Sequence, residues 1–233
     1  MKKFYQLDTN GREADVYIFG DITSWEWLDS DVSSYTLSKE LQGLDVDTIN
    51  IHINSYGGEV AEGLAIYNML KNHKATVKTY CEGFACSVAS VVFMAGDERI
   101  MNEASLLMVH NAWMYTAGNS EQLRKDADDL DIITQASKAA YMSKVNITED
   151  ELKALLDAET WLLPSDALEK GFATTIVAEA QTTKAAASAN KALFSLVKKS
   201  LTQQHNPEPE PDPKPQENKT LKFFNALMGR KDA

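Results

Sequence analysis

The 233-residue sequence has no apolar run approaching the roughly 18 residues of a membrane-spanning helix, so no membrane span is expected. It holds two cysteines, Cys81 and Cys86, five positions apart. That pair suits neither a disulfide framework nor a four-ligand zinc site, and no metal or cofactor is expected. Basic charge is short: the formal net charge is −11 and the pI near 4.8. No long positive surface is available for phosphates, which excludes nucleic acid as an expected partner and leaves proteins and peptides. No Gly-x-x-x-x-Gly-Lys-[Ser/Thr] stretch is present, so the chain carries no nucleotide-binding phosphate loop of its own. No internal repeat is evident. The N-terminus, Met-Lys-Lys-Phe-Tyr-Gln-Leu-Asp, turns polar within a few residues and does not read as a leader, so a cytoplasmic location is expected.

Proline is scarce except in one place. Of six prolines, five lie between Pro207 and Pro215 in alternation with Glu, Asp and Lys, a composition for an extended polyproline II spacer. A folded domain is therefore expected over residues 1–180, with an Ala/Lys-rich connector over 181–205, the Pro-rich linker over 206–218 and a short C-terminal segment over 219–233. In that last segment Leu221, Phe223, Phe224, Leu227 and Met228 sit among Lys222, Arg230 and Lys231, a pattern for an amphipathic helix on a partner.

Within the domain, strand-like and helix-like stretches alternate, which predicts an α/β fold of repeated β-α units. Strands are expected over 14–20, 48–53, 76–81 and 106–109, where branched and aromatic residues cluster. From Glu59 to Leu70, Val60, Leu64, Tyr67 and Leu70 recur at helical spacing. Asn119 with Gln122 opens a long charged helix over 120–144, and Thr148 with Glu151 opens a shorter one ending near Leu156.

The chemistry begins at Ser87. The stretch from Ser87 to Ala95 is apolar on every side and stops at Gly96, which predicts a helix inside the core. A serine at its first turn meets unpaired backbone N–H groups, the environment that stabilises a developing oxyanion; capping the helix is the alternative role. Cys86, its neighbour, is a rival nucleophile as a thiol. Ser55-Tyr56-Gly57-Gly58 follows a strand, and two glycines before a helix let backbone amides approach a ligand or let strand and helix pack tightly. His110 ends the apolar strand Leu-Leu-Met-Val and is the best placed of the four histidines to act as a base: His205 is in the tail, His73 at a polar helix end and His52 within a strand. Asp157-Ala-Glu-Thr-Trp161 offers two carboxylates to orient such a base. The serine is not in a Gly-x-Ser-x-Gly setting, so an α/β-hydrolase elbow is not supported.

Four blocks together, Asn54-Ser-Tyr-Gly-Gly58, Gly83-Phe-Ala-Cys-Ser-Val88, Met108-Val-His-Asn111 and Trp161-Leu-Leu-Pro-Ser-Asp-Ala-Leu-Glu-Lys-Gly171, resemble in order and spacing the proteolytic subunit of Clp protease, ClpP. The resemblance covers about residues 14–177 and implies a ClpP/crotonase-like fold with a protruding handle helix, assembled as a homo-oligomeric ring acting on protein or peptide substrates. It implies that Ser87 is the nucleophile, His110 the base and Glu159 the third triad member, with Asp157 as a rival, and that the backbone N–H groups of Gly58 and Val88 form the oxyanion hole. The helix from Ser120 matches the handle.

The chain departs from the family pattern in having Tyr56 in place of a proline and Glu159 in place of an aspartate. Glu159-Thr-Trp161 at the acid position, the Pro-rich extension and the dozen or so residues before the first strand look most like the ClpP-related head maturation proteases of tailed phages. That resemblance implies an ATP-independent serine endopeptidase cleaving capsid or scaffold proteins in the host cytoplasm or the prohead interior. The alternative is the proteolytic subunit of a cellular Clp protease working with a Clp ATPase. Further rivals are a signal-peptide-peptidase type of enzyme with a lysine base, a crotonase-fold acyl-CoA enzyme, and an inactive structural relative.

Overall fold

The structure, a computed structural model, describes residues 7–177. The connector, linker and C-terminal segment expected beyond residue 180 lie outside the described residues. In chain order the elements are β1 (Leu7–Asn10), β2 (Glu13–Ile18), α1 (Ser34–Leu41), β3 (Thr48–Ser55), α2 (Val60–Lys71), β4 (Thr76–Cys86), α3 (Val88–Phe93), β5 (Glu98–Asn102), β6 (Leu106–Val109), α4 (Ser120–Met142), α5 (Glu149–Asp157), β7 (Thr160–Leu162), α6 (Pro164–Glu169) and β8 (Thr175–Val177). They form a mixed α/β domain around an eight-stranded sheet in the order β1-β2-β3-β4-β5-β8, with β6 branching from β4 and β7 pairing β6. Strands β2, β3, β4, β5 and β8 run parallel, and β1 closes one edge antiparallel.

Alternation along the strands assigns the two faces of the sheet. Val16, Ile18, Ile49, Ile51, Ile53, Val77 and Cys81 point into the core, and Asp15, Tyr17, Asn50, His52, Lys78 and Tyr80 point away from it. Helix α3 lies in that core, with all six of its residues buried. Its neighbour α2 comes within touching distance because Gly63 has no side chain: a Cβ there would stand 2.1 Å from Val88 Cγ2.

Strand β4 is eleven residues long and changes partner halfway. Its first half, Lys78 to Cys81, pairs β5, and its second half, Phe84 to Cys86, pairs β6 in parallel, ending at Cys86 opposite Met108. Parallel neighbours end on the same side of a sheet, so the residues following β4 and β6 emerge together. Those residues are Ser87 and the His110 segment.

Most expected elements lie where the pattern puts them, including both capping boxes, Asn119 with Gln122 and Thr148 with Glu151. Several boundaries differ, among them the end of α4 at Met142 rather than at residue 144. The core helix runs Val88–Phe93 rather than from Ser87 to Ala95. Strand β4 extends to Cys86 rather than ending at Cys81, because pairing with Met108 prolongs it by five residues. Thr160–Leu162, for which no strand was expected, pairs β6 as β7. Helix α1 was not expected, although Ser33 caps it through Thr36 N and Leu37 and Leu41 share its buried face.

Candidate active site

Ser87 sits between β4 and α3 with φ 54 and ψ −130, a conformation that L-residues rarely adopt. Such strain costs about 1–3 kcal/mol and persists only where neighbours over-determine it. Here the Ser87 amide donates to Met108 O (2.9 Å) on β6, and the Ser87 carbonyl accepts from both Ser90 N (2.9 Å) and Ser90 Oγ (2.6 Å). The side chain makes no capping bond to α3, so the capping role is excluded. Instead Ser87 Oγ lies 2.7 Å from His110 Nε2, hydrogen-bond distance for a hydroxyl and an imidazole nitrogen.

His110 follows β6 directly. Its chain runs antiparallel to β7, with Leu107 opposite Leu162, Met108 opposite Trp161 and Val109 opposite Thr160. One step further along this register stand His110 and Glu159. Glu159 has φ 47, a left-handed conformation at the turn between α5 and β7. Asp157 is engaged elsewhere: Asn111 Nδ2 donates to its Oδ1 (2.9 Å) and Lys153 Nζ to its Oδ2 (2.5 Å). Lys153 first and Asn111 second hold this exposed carboxyl below the usual carboxylate range.

The glycine loop closes against the same serine. Ile22 clamps it from β2's extension, with Ile22 N donating to Gly57 O (2.8 Å) and Glu59 N to Ile22 O (2.7 Å), one bond on either side of Gly58. Gly57 (φ 103) packs so tightly on the Ser87 segment that a Cβ would fall 2.8 Å from Ser87 Cβ and 3.2 Å from Val88 N. At Gly58 (φ 144) a Cβ would fall 2.1 Å from Ile22 O. Both glycines are thus required by backbone conformation and by contact. Because α3 is under two turns long, its dipole is small.

The thiol alternative fails on burial. Cys86 is wholly enclosed, and burial pushes its thiol up to about 12, which keeps it protonated and inert at neutral pH. His52 is far from the serine chemistry in kind as well as place. On the outward face of β3 it stacks between Tyr17 and Tyr80 (ring centroids 4.7 and 4.8 Å), with Nδ1 2.6 Å from Glu82 Oε1.

Sequence reasoning missed three supports of the site: Ile22, Ser90 and Tyr141. Tyr141 OH lies 2.7 Å from Ser90 Oγ, joining α4 to the nucleophile turn. A polar residue in the otherwise apolar run 88–95 was the visible signal for Ser90; nothing local marks Ile22 or Tyr141 as its neighbours. No helix among the described residues is long and apolar enough to cross a membrane.

The chain is similar to known proteins over most of this domain. Residues 31–180 match the Clp protease family model. The ATP-dependent Clp protease proteolytic subunit of Deinococcus radiodurans is 32% identical over 126 residues, 53% of this chain and 62% of that subunit. The corresponding subunit of Borreliella afzelii is 24% identical over 69% of this chain and 81% of its own length. Subunit 2 of Synechococcus sp. (strain CC9605) is 25% identical over 55% of this chain and 66% of its own. With its parallel sheet, buried α3 and serine–histidine pair inside the matched span, the chain belongs to the Clp protease family of serine peptidases.

Proposed function

We propose that this chain is a serine endopeptidase of the ClpP type in which Ser87 is the nucleophile, His110 the general base and Glu159 the group that orients it. The observation that carries this reading is the 2.7 Å contact between Ser87 Oγ and His110 Nε2 at the shared ends of β4 and β6. In the reaction, His110 Nε2 takes the hydroxyl proton as Ser87 Oγ bonds to a peptide carbonyl carbon. The amides of Gly58 and Val88 donate to the resulting oxyanion. The proton then passes from His110 to the leaving amine as the C–N bond breaks, and water, deprotonated by the same imidazole, hydrolyses the acyl-enzyme. Glu159 keeps Nδ1 protonated and offsets the positive charge on the ring.

A fluorophosphonate probe tests the assignment. It should label Ser87 in the wild type and not in Ser87→Ala, and peptide cleavage should vanish with the label. Cleavage that survives in Ser87→Ala removes the serine from the mechanism. An acyl-CoA enzyme using only the oxyanion donors should not react with the probe at all. A lysine base is disfavoured because Lys138 and Lys153, on the helices nearest the His110 segment, are occupied by Glu149 and Asp157.

Two finer readings separate by partner. Glu159-Thr-Trp161 and the Pro-rich segment support an autonomous prohead protease trimming capsid or scaffold proteins; the similar proteins above, named as ATP-dependent subunits, support a ring that works with a Clp ATPase. The family's ring assembly accords with either. We favour the first, and casein degradation by the purified protein without ATP is its expected behaviour. Strict dependence on an added Clp ATPase and ATP would transfer preference to the second.

A further inference from the structure

Beneath the nucleophile runs a chain of hydroxyl groups. Ser90, wholly buried in the first turn of α3, places its Oγ 2.6 Å from the carbonyl oxygen of Ser87 and 2.7 Å from the phenol oxygen of Tyr141. The direction of both bonds follows from chemistry. A carbonyl only accepts, so the single Ser90 proton goes to Ser87 O, and the Ser90 oxygen is left to accept from Tyr141. Burial raises the Tyr141 phenol above its ordinary value, so it remains a donor at any working pH. Tyr141 itself is held rigid in α4, buried and set edge-on against Phe172 with ring centroids 5.8 Å apart.

The carbonyl at the end of this relay belongs to the same peptide unit as the Val88 amide. A trans peptide is planar and its C=O and N–H point in opposite directions, so whatever pins the Ser87 carbonyl also aims the Val88 N–H. Three donors act on that unit in sequence: Ser90 N at 2.9 Å and Ser90 Oγ directly, and Tyr141 through Ser90. Hydrogen bonds accepted by the carbonyl also polarise the unit and strengthen its amide as a donor. The strained dihedrals of Ser87 need such support, since the relaxed conformation would rotate this peptide away.

We infer that Tyr141 and Ser90 are positioning residues that aim and polarise the Val88 amide at the oxyanion, so that α4 acts on the reaction through a relay of hydroxyls rather than through contact with substrate. This inference rests on the reading of Ser87 as nucleophile. An effect confined to the oxyanion appears in the transition state and not in substrate binding, which distinguishes it from a packing role.

Three variants and one probe test it: Tyr141→Phe, Ser90→Ala and the double variant, assayed on a chromogenic peptide and titrated with a peptide boronic acid, which adds to the serine oxygen and places a hydroxyl at the oxyanion position. Each variant is compared below its own melting midpoint. Tyr141→Phe should lower kcat about five- to thirtyfold with KM unchanged, smaller than the loss of a direct oxyanion donor because the effect is relayed. Boronate affinity should fall by a similar factor, while affinity for the cleaved product peptide stays as in the wild type. The double variant should be no worse than Ser90→Ala, because the two hydroxyls act in series. Unchanged kcat and boronate affinity in Tyr141→Phe, a loss expressed in KM, or additive losses in the double variant would each overturn the relay. A wild type that fails to react with fluorophosphonate would instead overturn the nucleophile itself, a separate failure.

Discussion

Glu159 and His110 occupy the next facing positions beyond the last pair of the β6–β7 ladder, Thr160 opposite Val109, so the two residues leave the same register together. Asp157, two residues earlier in the chain, is already bound by Asn111 and Lys153. Replacing Glu159 with glutamine should therefore lower kcat by about 10³ to 10⁴-fold, the scale of a lost orienting carboxylate elsewhere. Asp157→Asn, at an exposed ion pair, should change activity within about twofold. Steady-state kinetics of the two variants decide the matter, and the opposite order would give the role to Asp157.

The contact of Gly63 with Val88 predicts a compensating pair. Gly63→Ala should overpack the α2–α3 interface and lower stability by about 1–3 kcal/mol, with a loss of activity if the Val88 amide is the oxyanion donor proposed above. Trimming the obstacle in the double variant Gly63→Ala/Val88→Ala should restore part of both. Denaturant unfolding of the four proteins of this cycle gives the coupling energy. Strictly additive effects would mean that the helices separate freely instead of touching.

Both cysteines should be silent in the folded protein. Burial pushes the Cys81 and Cys86 thiols up to about 12, so at pH 8 only about one molecule in ten thousand carries a thiolate at either site. Iodoacetamide followed by mass spectrometry should find neither modified under native conditions and both modified in guanidinium. The same shift makes a prediction for alkaline stability. A folded value raised above the ordinary 9.0 adds stability that is complete below 9.0 and is lost as pH climbs towards the folded value, so the melting midpoint should fall over that interval. Alkylation of native Cys86 at pH 8 would contradict the burial.

Local signals were enough to find what local physics determines. The spacing of Val60, Leu64, Tyr67 and Leu70 and the capping pairs at Asn119 and Thr148 located their helices because periodicity and end chemistry reside in neighbouring residues. Strands β5, β7 and β8 escaped notice because they are short and owe their existence to partners 20 to 75 residues away, as Thr174 does in donating to Arg99 O across 75 positions. At the site, Ser87, His110 and Gly58 stood out by residue type and setting. Asp157 and Glu159 could not be told apart in the sequence, because the bonds of Asp157 to Lys153 and Asn111 form only once the chain is folded. Ser90 and Tyr141 lie 51 residues apart, and their meeting is a property of helix packing.

The divided pairing of β4 bears on how such a site can change over time. Ser87 and His110 issue from two strands that hold each other in place, so a change in either strand disturbs both. Glu159 stands just before β7, which is three residues long and pairs only β6 among the described residues. The carboxylate at this place can therefore be lengthened, shortened or exchanged by remodelling one small appendage while the contact between Ser87 and His110 stays intact. The glutamate at position 159 is the kind of substitution that architecture tolerates.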